Sequence, residues 1–391
     1  MVKDHLLLPL NDLLAEYGPT LLRENEHLLA ACAVNDKIYA VPAGPLAASS
    51  IGFVYNTDLA EEYGIVFSDH PDMEEFEQAA EILKAHGKYL LYPSNSLDTA
   101  KSITALFPSI TPVMDSSYYY GVFVGNSDTP VVKNLYETQE YLDYCHLLRK
   151  WNENGWIPEN YLTSGSNSAL QFRQGNVLMT WSGASPLEYA LQSSNYPFSI
   201  KMVMTKQTGL TTSSVLENGW GISETSENPQ KAMEFLNYLY ENEVIANLLM
   251  NGIEGQEYKK LSEHIITFCD GETAADLKYK RVFTLFGDYR KVYKWSPLTE
   301  NDYEDLQKYY LTSYVSNYLG YVFHPDSVSA EVSAVQKILS DYQPALECGL
   351  LEDVPSAVQA LNEKLRQAGI DRIIAENQRQ LDEWMQERVP S

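Results

Sequence analysis

Residues 213–240 read SSVLENGWGISETSENPQKAMEFLNYLY. A run with β-branched and aromatic residues closes on Gly219-Trp220-Gly221-Ile222-Ser223. Glycines on both sides of a large ring predict a strand whose backbone passes close to another part of the chain. A helix is predicted next: Asn228 suits the N-cap, Pro229 the first helical position, and Ala232, Phe235, Leu236 and Leu239 recur on one face. The stretch therefore reads as strand, ligand-sized aromatic, turn and docking helix.

Strands and helices alternate on either side of it, which predicts an α/β fold. Residues 6–14 lead into a helix that Gly18-Pro19 ends, and the polar turn Asn35-Asp36-Lys37 precedes the β run Ile38-Tyr39-Ala40-Val41-Pro42. Residues 51–56 form a second strand, followed by a short helix that Gly64 is placed to stop. Over 71–86, Met73, Phe76, Ala80 and Leu83 share a stripe; over 135–155, Tyr141, Cys145, Leu148 and either Trp151 or Asn152 do so. Further strands are predicted at 89–92, at 177–181 ending on Trp181, and at 198–204. Beyond Tyr240 the chain turns tyrosine-rich, with helical spacing over 301–318, 328–342, 355–367 and 371–387.

The totals narrow the function. At 391 residues the chain is long enough for two or three domains. With 28 basic and 53 acidic residues its formal charge is −25, which repels nucleic acid and anionic membranes and favours a neutral or cationic ligand. Cys32, Cys145, Cys269 and Cys348 have no short spacing, so buried free thiols are expected rather than a zinc or disulfide framework. The seven histidines form no HExxH pair, phosphate-binding glycine loops are missing, and Gly165-Ser166-Asn167-Ser168 lacks the second glycine of a nucleophile elbow. No enzyme activity, cofactor or metal is predicted. No apolar run approaches a membrane span, and residues 1–10 are too short and mixed for a complete secretory signal.

Several segments together carry a resemblance. Residues 9–14 (PLNDLL) are similar to a Pro-Leu-Asp-Asp-Leu element, and residues 37–42 (KIYAVP) to Gly-Lys-Ile-Tyr-Ala-Val-Pro, with Asp36 where glycine is usual. Tyr55-Asn56-Thr57-Asp58-Leu59, the span from Phe172 to Trp181, Gly219–Ser223 with Asn228-Pro229, Asn251-Gly252-Ile253-Glu254-Gly255, Gly320-Tyr321-Val322-Phe323 and residues 378–384 continue the series. Over about residues 8–384 the chain resembles family 1 extracellular solute-binding proteins, the capture components of ABC importers, and in its C-terminal part a lipoprotein-type subset of them.

That resemblance implies a two-lobe, periplasmic-binding-protein-like α/β fold with a hinge. Residues 1–48 and 220–300 would form lobe I, 49–215 lobe II, and 301–391 a helical region packing on the lobes. A sugar, preferably an oligosaccharide, would be held between the lobes of a monomer and delivered to a membrane permease. The location implied is extracellular, with lipoprotein anchoring. The family opens with a signal and a first βαβ unit that this sequence does not display, so lobe I is expected to be incomplete. A peptide-like ligand, a carbohydrate-active enzyme and a non-transport interaction protein stay open as alternatives.

Trp220 and Trp181 are the leading ligand contacts, because sugars stack C–H faces on rings while their hydroxyls seek polar partners. Packing within the core is the competing role for each. Tyr120, in the run Tyr118-Tyr119-Tyr120, would line the cleft or simply alternate in and out of a β segment. Tyr55 is a candidate beside the hinge, and Trp295, like Phe286, lies in a region the family places near the cleft rim. Ser182, Asp98 and Glu217 are candidate hydrogen-bonding partners by their position next to these rings.

Overall fold

In the computed structural model, residues Thr212–Leu216 are helical rather than extended. Thr211 and Ser214 explain the difference: Thr211 N donates to Ser214 Oγ (2.9 Å), Ser214 N to Thr211 Oγ1 (3.3 Å) and Ser214 Oγ to Thr211 O (2.8 Å). These short-range bonds close a turn that overrides the strand preference of the residues around it. The structure describes residues 2, 4–44, 49–92, 99–113, 121–125, 130–158, 168–183, 185–186, 189, 196–273, 276, 279, 287–313 and 315–388.

The strand begins later and is short. Gly219–Trp220 pairs antiparallel with Val41–Pro42, Trp220 opposite Val41. The chain then runs beside the N-terminal segment, with Leu8 N donating to Ile222 O (2.9 Å) and Glu224 N to Leu6 O (3.0 Å). The close approach expected of this stretch is real: a Cβ on Gly221 would sit 2.9 Å from Leu7 Cδ2 and 3.2 Å from Tyr39 O.

The docking helix spans Pro229–Glu241, with Pro229 in its first turn; Asn228 occupies the cap position without a side-chain bond. Its buried face carries Met233, Leu236, Asn237, Leu239 and Tyr240, packed on Leu10, Leu14, Leu21 and Val41. Phe235 is 53% exposed, so it does not belong to the core stripe as expected. The true face includes the polar Asn237, which a search for apolar spacing passes over. Asn237 Oδ1 accepts from Thr20 N (2.9 Å) and Leu21 N (3.1 Å), capping the helix Pro19–Asn25 from across the core.

The chain divides into two compact units. Unit 1 comprises 1–49, 185–195 and 208–321. It holds the elements above, the hairpin of Ala33–Val34 with Lys37–Ile38, and a small sheet in which Ile265–Thr267 pairs antiparallel with Lys259–Lys260 and parallel with Lys294–Trp295. Asn35 and Asp36 form the hairpin's two-residue turn at φ 50° and 61°. Asp36 thus adopts the left-handed conformation that glycine adopts at no cost. The single run expected over 38–42 is split into Lys37–Ile38 and Val41–Pro42. Among the described residues, unit 1 contains only two- and three-stranded sheets.

Unit 2 comprises 50–184, 196–207 and 322–391. Its sheet has Ser49–Asn56 in the centre, flanked by Met179–Ser182 and Ile200–Thr208. An antiparallel meander of Ile110–Pro112, Gly121–Val124 and Lys133–Asn134 adds a second sheet. The helices Met73–Ala85 and Gln139–Glu153 bury Phe76, Ala80 and Leu83, and Tyr141, Cys145, Leu148 and Trp151, the spacing read from sequence. The expected strand at 89–92 is reduced to a bridge between Tyr89 and Val177.

The late helices are shared out. Glu300–Leu311 belongs to unit 1, whereas Ser329–Leu346, Val354–Gln367 and Ile370–Arg388 complete unit 2. They are fastened to the 130–153 region by polar bonds: Tyr141 Oη donates to Glu347 (3.1 Å), Asn362 Nδ2 to Tyr136 O (2.6 Å), and Val132 N to Gln378 Oε1 (2.7 Å). Cys32, Cys145 and Cys348 are buried and free, and burial pushes the Cys32 thiol up to about 12. Cys269 is free and half-buried. Among the described residues no helix is long and apolar enough to cross a membrane.

Candidate functional site

The Trp220 region is built by the tight passage at Gly221. The backbone pairing with Val41 holds the indole at the surface end of the unit 1 core, half-buried. After Ser223 the chain turns through Thr225, Ser223 Oγ and Thr225 Oγ1 lying 2.9 Å apart, before the docking helix begins. The result is a cavity of about 390 Å³ lined by Trp220, Ser223, Thr225, Ser226, Phe235 and Leu236 among others. None of its lining residues is charged. Larger hollows of about 720 Å³ and 630 Å³ elsewhere are rimmed by Glu137, Glu140 and Asp371, and by Glu263, Glu300 and Glu304. Of these three, the Trp220 cavity alone has no charged residue in its lining, and it joins aromatic faces to neutral hydroxyls, the combination an uncharged polyhydroxylated ligand requires.

In unit 2, Trp181 stands opposite Phe53 in the sheet, with ring centroids 6.2 Å apart, edge to face. Phe76 from the helix Met73–Ala85 lies 6.2 Å from Trp181 and 5.2 Å from Phe53. Alternation along the strand puts Tyr55 on the same face, where it meets Phe67 at 5.3 Å. Tyr55 is only 7% exposed, and burial, helped by Asp69, raises its phenol pKa. It serves as a wall of the aromatic cluster. Trp181 is half-buried, as is Ser182, which pairs with Gly52 one step further along.

Trp295 is placed in the core of the small sheet, 7% exposed, its indole N–H donating to Asn251 Oδ1 at 3.0 Å and its ring 4.7 Å from Phe268. Glu217 is exposed, two residues ahead of the strand Gly219–Trp220. Asp98 and Tyr120 lie outside the described residues, as does Phe286. The fold thus brings Trp181, Ser182 and Tyr55 together in one sheet, and sets Trp220 in a cavity of its own. Sequence reasoning does not pick Phe235, Ser223, Thr225 or Ser226 as ligand contacts, and it places Phe235 on the core stripe of the helix instead. For the three hydroxyls the signal is the cluster between Trp220 and Pro229.

No group of three or more side chains able to hold a metal ion occurs among the described residues. The profile of the bacterial extracellular solute-binding proteins covers residues 1–246, and a domain of unknown function matches 317–386. A carbohydrate ABC transporter substrate-binding protein of Streptococcus pneumoniae is 28% identical over 376 residues, spanning 91% of this chain and 71% of the relative. The crystal structure of an N-glycan transport solute-binding protein from the same organism aligns with a TM-score of 0.79 at 24% identity, covering 98% of this chain and 84% of that one. Its complex with Man5GlcNAc aligns at 0.71 and 25% identity, covering 100% and 85%. The two-lobe solute-binding fold is therefore the fold of this chain, and the chain belongs to the bacterial extracellular solute-binding protein family.

Proposed function

We propose that the protein captures a neutral oligosaccharide outside the cytoplasm and delivers it to an ABC permease, without transforming it. The observation that carries this reading is the similarity to a carbohydrate transporter's binding protein along 91% of the chain. The uncharged, ring-walled cavity at Trp220 supports it. In a protein of net charge −25, a neutral sugar is a ligand that the overall field does not repel. Trp181 and Trp220 act as stacking platforms, with Ser182, Ser223 and Thr225 as hydroxyl partners. The protein works as a monomer, tethered to the membrane by a lipid anchor.

Calorimetry against a panel of oligomannose, other neutral glycans and short peptides, with mass analysis of each hit, tests the reading. Micromolar or tighter glycan binding with the glycan recovered intact is the expected result. Cleavage of the glycan, or binding confined to peptides, overturns it.

A further inference from the structure

Lys206 lies near the end of the strand Ile200–Thr208, one residue before the chain leaves unit 2 after Gln207. Its Nζ donates to Pro108 O (2.7 Å), Ile110 O (2.6 Å) and Thr111 Oγ1 (3.0 Å). An ammonium has three protons, and all three are taken, so none is left for a ligand. The three acceptors are neutral, and burial alone lowers the Lys206 pKa to about 8. No charged group offsets the burial, so the cation is retained at a cost in stability. What it provides is a single tip that grips a whole turn, something a shorter or uncharged side chain cannot do.

The neighbouring residue extends the tie. Thr205 Oγ1 donates to Ile51 O at 3.0 Å, on the strand that enters unit 2 at Ser50. Two consecutive side chains thus fasten together the strand entering the unit, the strand leaving it, and the turn at 108–111. The entering strand is also the partner of Met179–Ser182, with Gly52 opposite Ser182 and Phe53 opposite Trp181. The tie therefore sits at the same end of the sheet as the two candidate ligand contacts.

We propose that Lys206 is a positioning residue for ligand capture: it locks this end of the sheet so that Trp181 and Ser182 meet a neutral carbohydrate from a fixed frame. This rests on the capture function proposed above. The test compares wild type, Lys206→Met and Lys206→Arg, by amide hydrogen exchange of the ligand-free proteins and by calorimetry with Man5GlcNAc. Lys206→Met is expected to exchange faster over 108–112 and 50–53 and to bind about tenfold more weakly, with Lys206→Arg recovering part of both. Unchanged exchange in Lys206→Met overturns the lock. Faster exchange with unaltered affinity reduces Lys206 to a structural residue and overturns the positioning role. Should Lys206→Met fail to fold, Thr111→Val removes one acceptor and is read in the same way. A wild-type protein that binds no glycan overturns the capture reading and the positioning role with it, while the exchange data still decide separately whether the lock exists.

Discussion

Asn237 and Thr20 are 217 residues apart in sequence, yet the Asn237 side-chain oxygen accepts the Thr20 backbone N–H at 2.9 Å in the middle of the unit 1 core. The same oxygen takes the Leu21 N–H, and Asn237 Nδ2 donates to Glu241, which in turn accepts from the Thr20 hydroxyl at 2.7 Å. One amide thus satisfies two free donors at the start of a helix. Asn237→Leu should leave both N–H groups buried and unpaired, costing about 1–3 kcal/mol in a denaturant titration. A loss near zero would mean water reaches the helix end.

The tryptophans should separate by role. Trp181→Ala and Trp220→Ala are expected to weaken glycan binding about tenfold or more, a larger effect than their change in melting temperature. Trp295→Ala should instead cost about 3–5 kcal/mol of stability, since the ring is buried and its N–H bonded to Asn251. Calorimetry and thermal melts on the three variants check this. Equal losses of binding and stability at Trp220 would assign it to packing.

The two glycines flanking Trp220 should differ. A Cβ at position 219 meets nothing nearer than Val41 O at 3.5 Å, ordinary contact, while at 221 it must displace the Leu7 side chain and is pressed to 3.2 Å from the backbone oxygen of Tyr39. Gly221→Ala should destabilise by about 1–3 kcal/mol and Gly219→Ala by less than about 1 kcal/mol, as read from urea midpoints.

Lys294 offers a pH signature. Its side chain is buried over the Tyr289 ring at 3.8 Å, bonded to the carbonyls of Tyr289 and Val292. Burial lowers its pKa from 10.5 to about 7, with Asp288 pulling the other way. Below about 7 the amine is charged whether the chain is folded or not. Between about 7 and 10.5 only the unfolded chain holds the proton, so this group's contribution to stability rises with pH across that window and is lost as pH falls through the lower value. Lys294→Met should flatten that slope in urea midpoints measured across the range. An identical slope in both proteins would show that the lysine stays protonated when folded.

Much of the fold was legible because the helices follow apolar spacing closely. Phe76, Ala80 and Leu83, and Tyr141, Cys145, Leu148 and Trp151, are buried on the faces their periodicity predicts. What escaped was decided by polar groups acting at short or very long range. Thr211 and Ser214 close a helical turn within a strand-like run, and Asn237, bonded to a helix 217 residues away, takes a place on the buried face of the docking helix while Phe235 faces outward. The candidate contacts were partly legible for a related reason. An aromatic residue at a strand end announces a large ring, but burial depends on what the partner strands carry. Trp181 and Trp220 are half-exposed, whereas Trp295 found Asn251 and Phe268 and was enclosed.

The late helices of unit 2 set the order in which the protein can mature. Residues 130–153 are produced early, but the groups that bond them, Glu347, Asn362 and Gln378, are made some 200 residues later. Unit 1 meanwhile interrupts unit 2, its longest segment running from Thr208 to Tyr321. Until the late helices dock, the helix Gln139–Glu153 therefore keeps part of its apolar surface uncovered, with the longest segment of unit 1 lying between the two in the chain. Unit 2 is therefore completed last, and only once Ile370–Arg388 is available to dock.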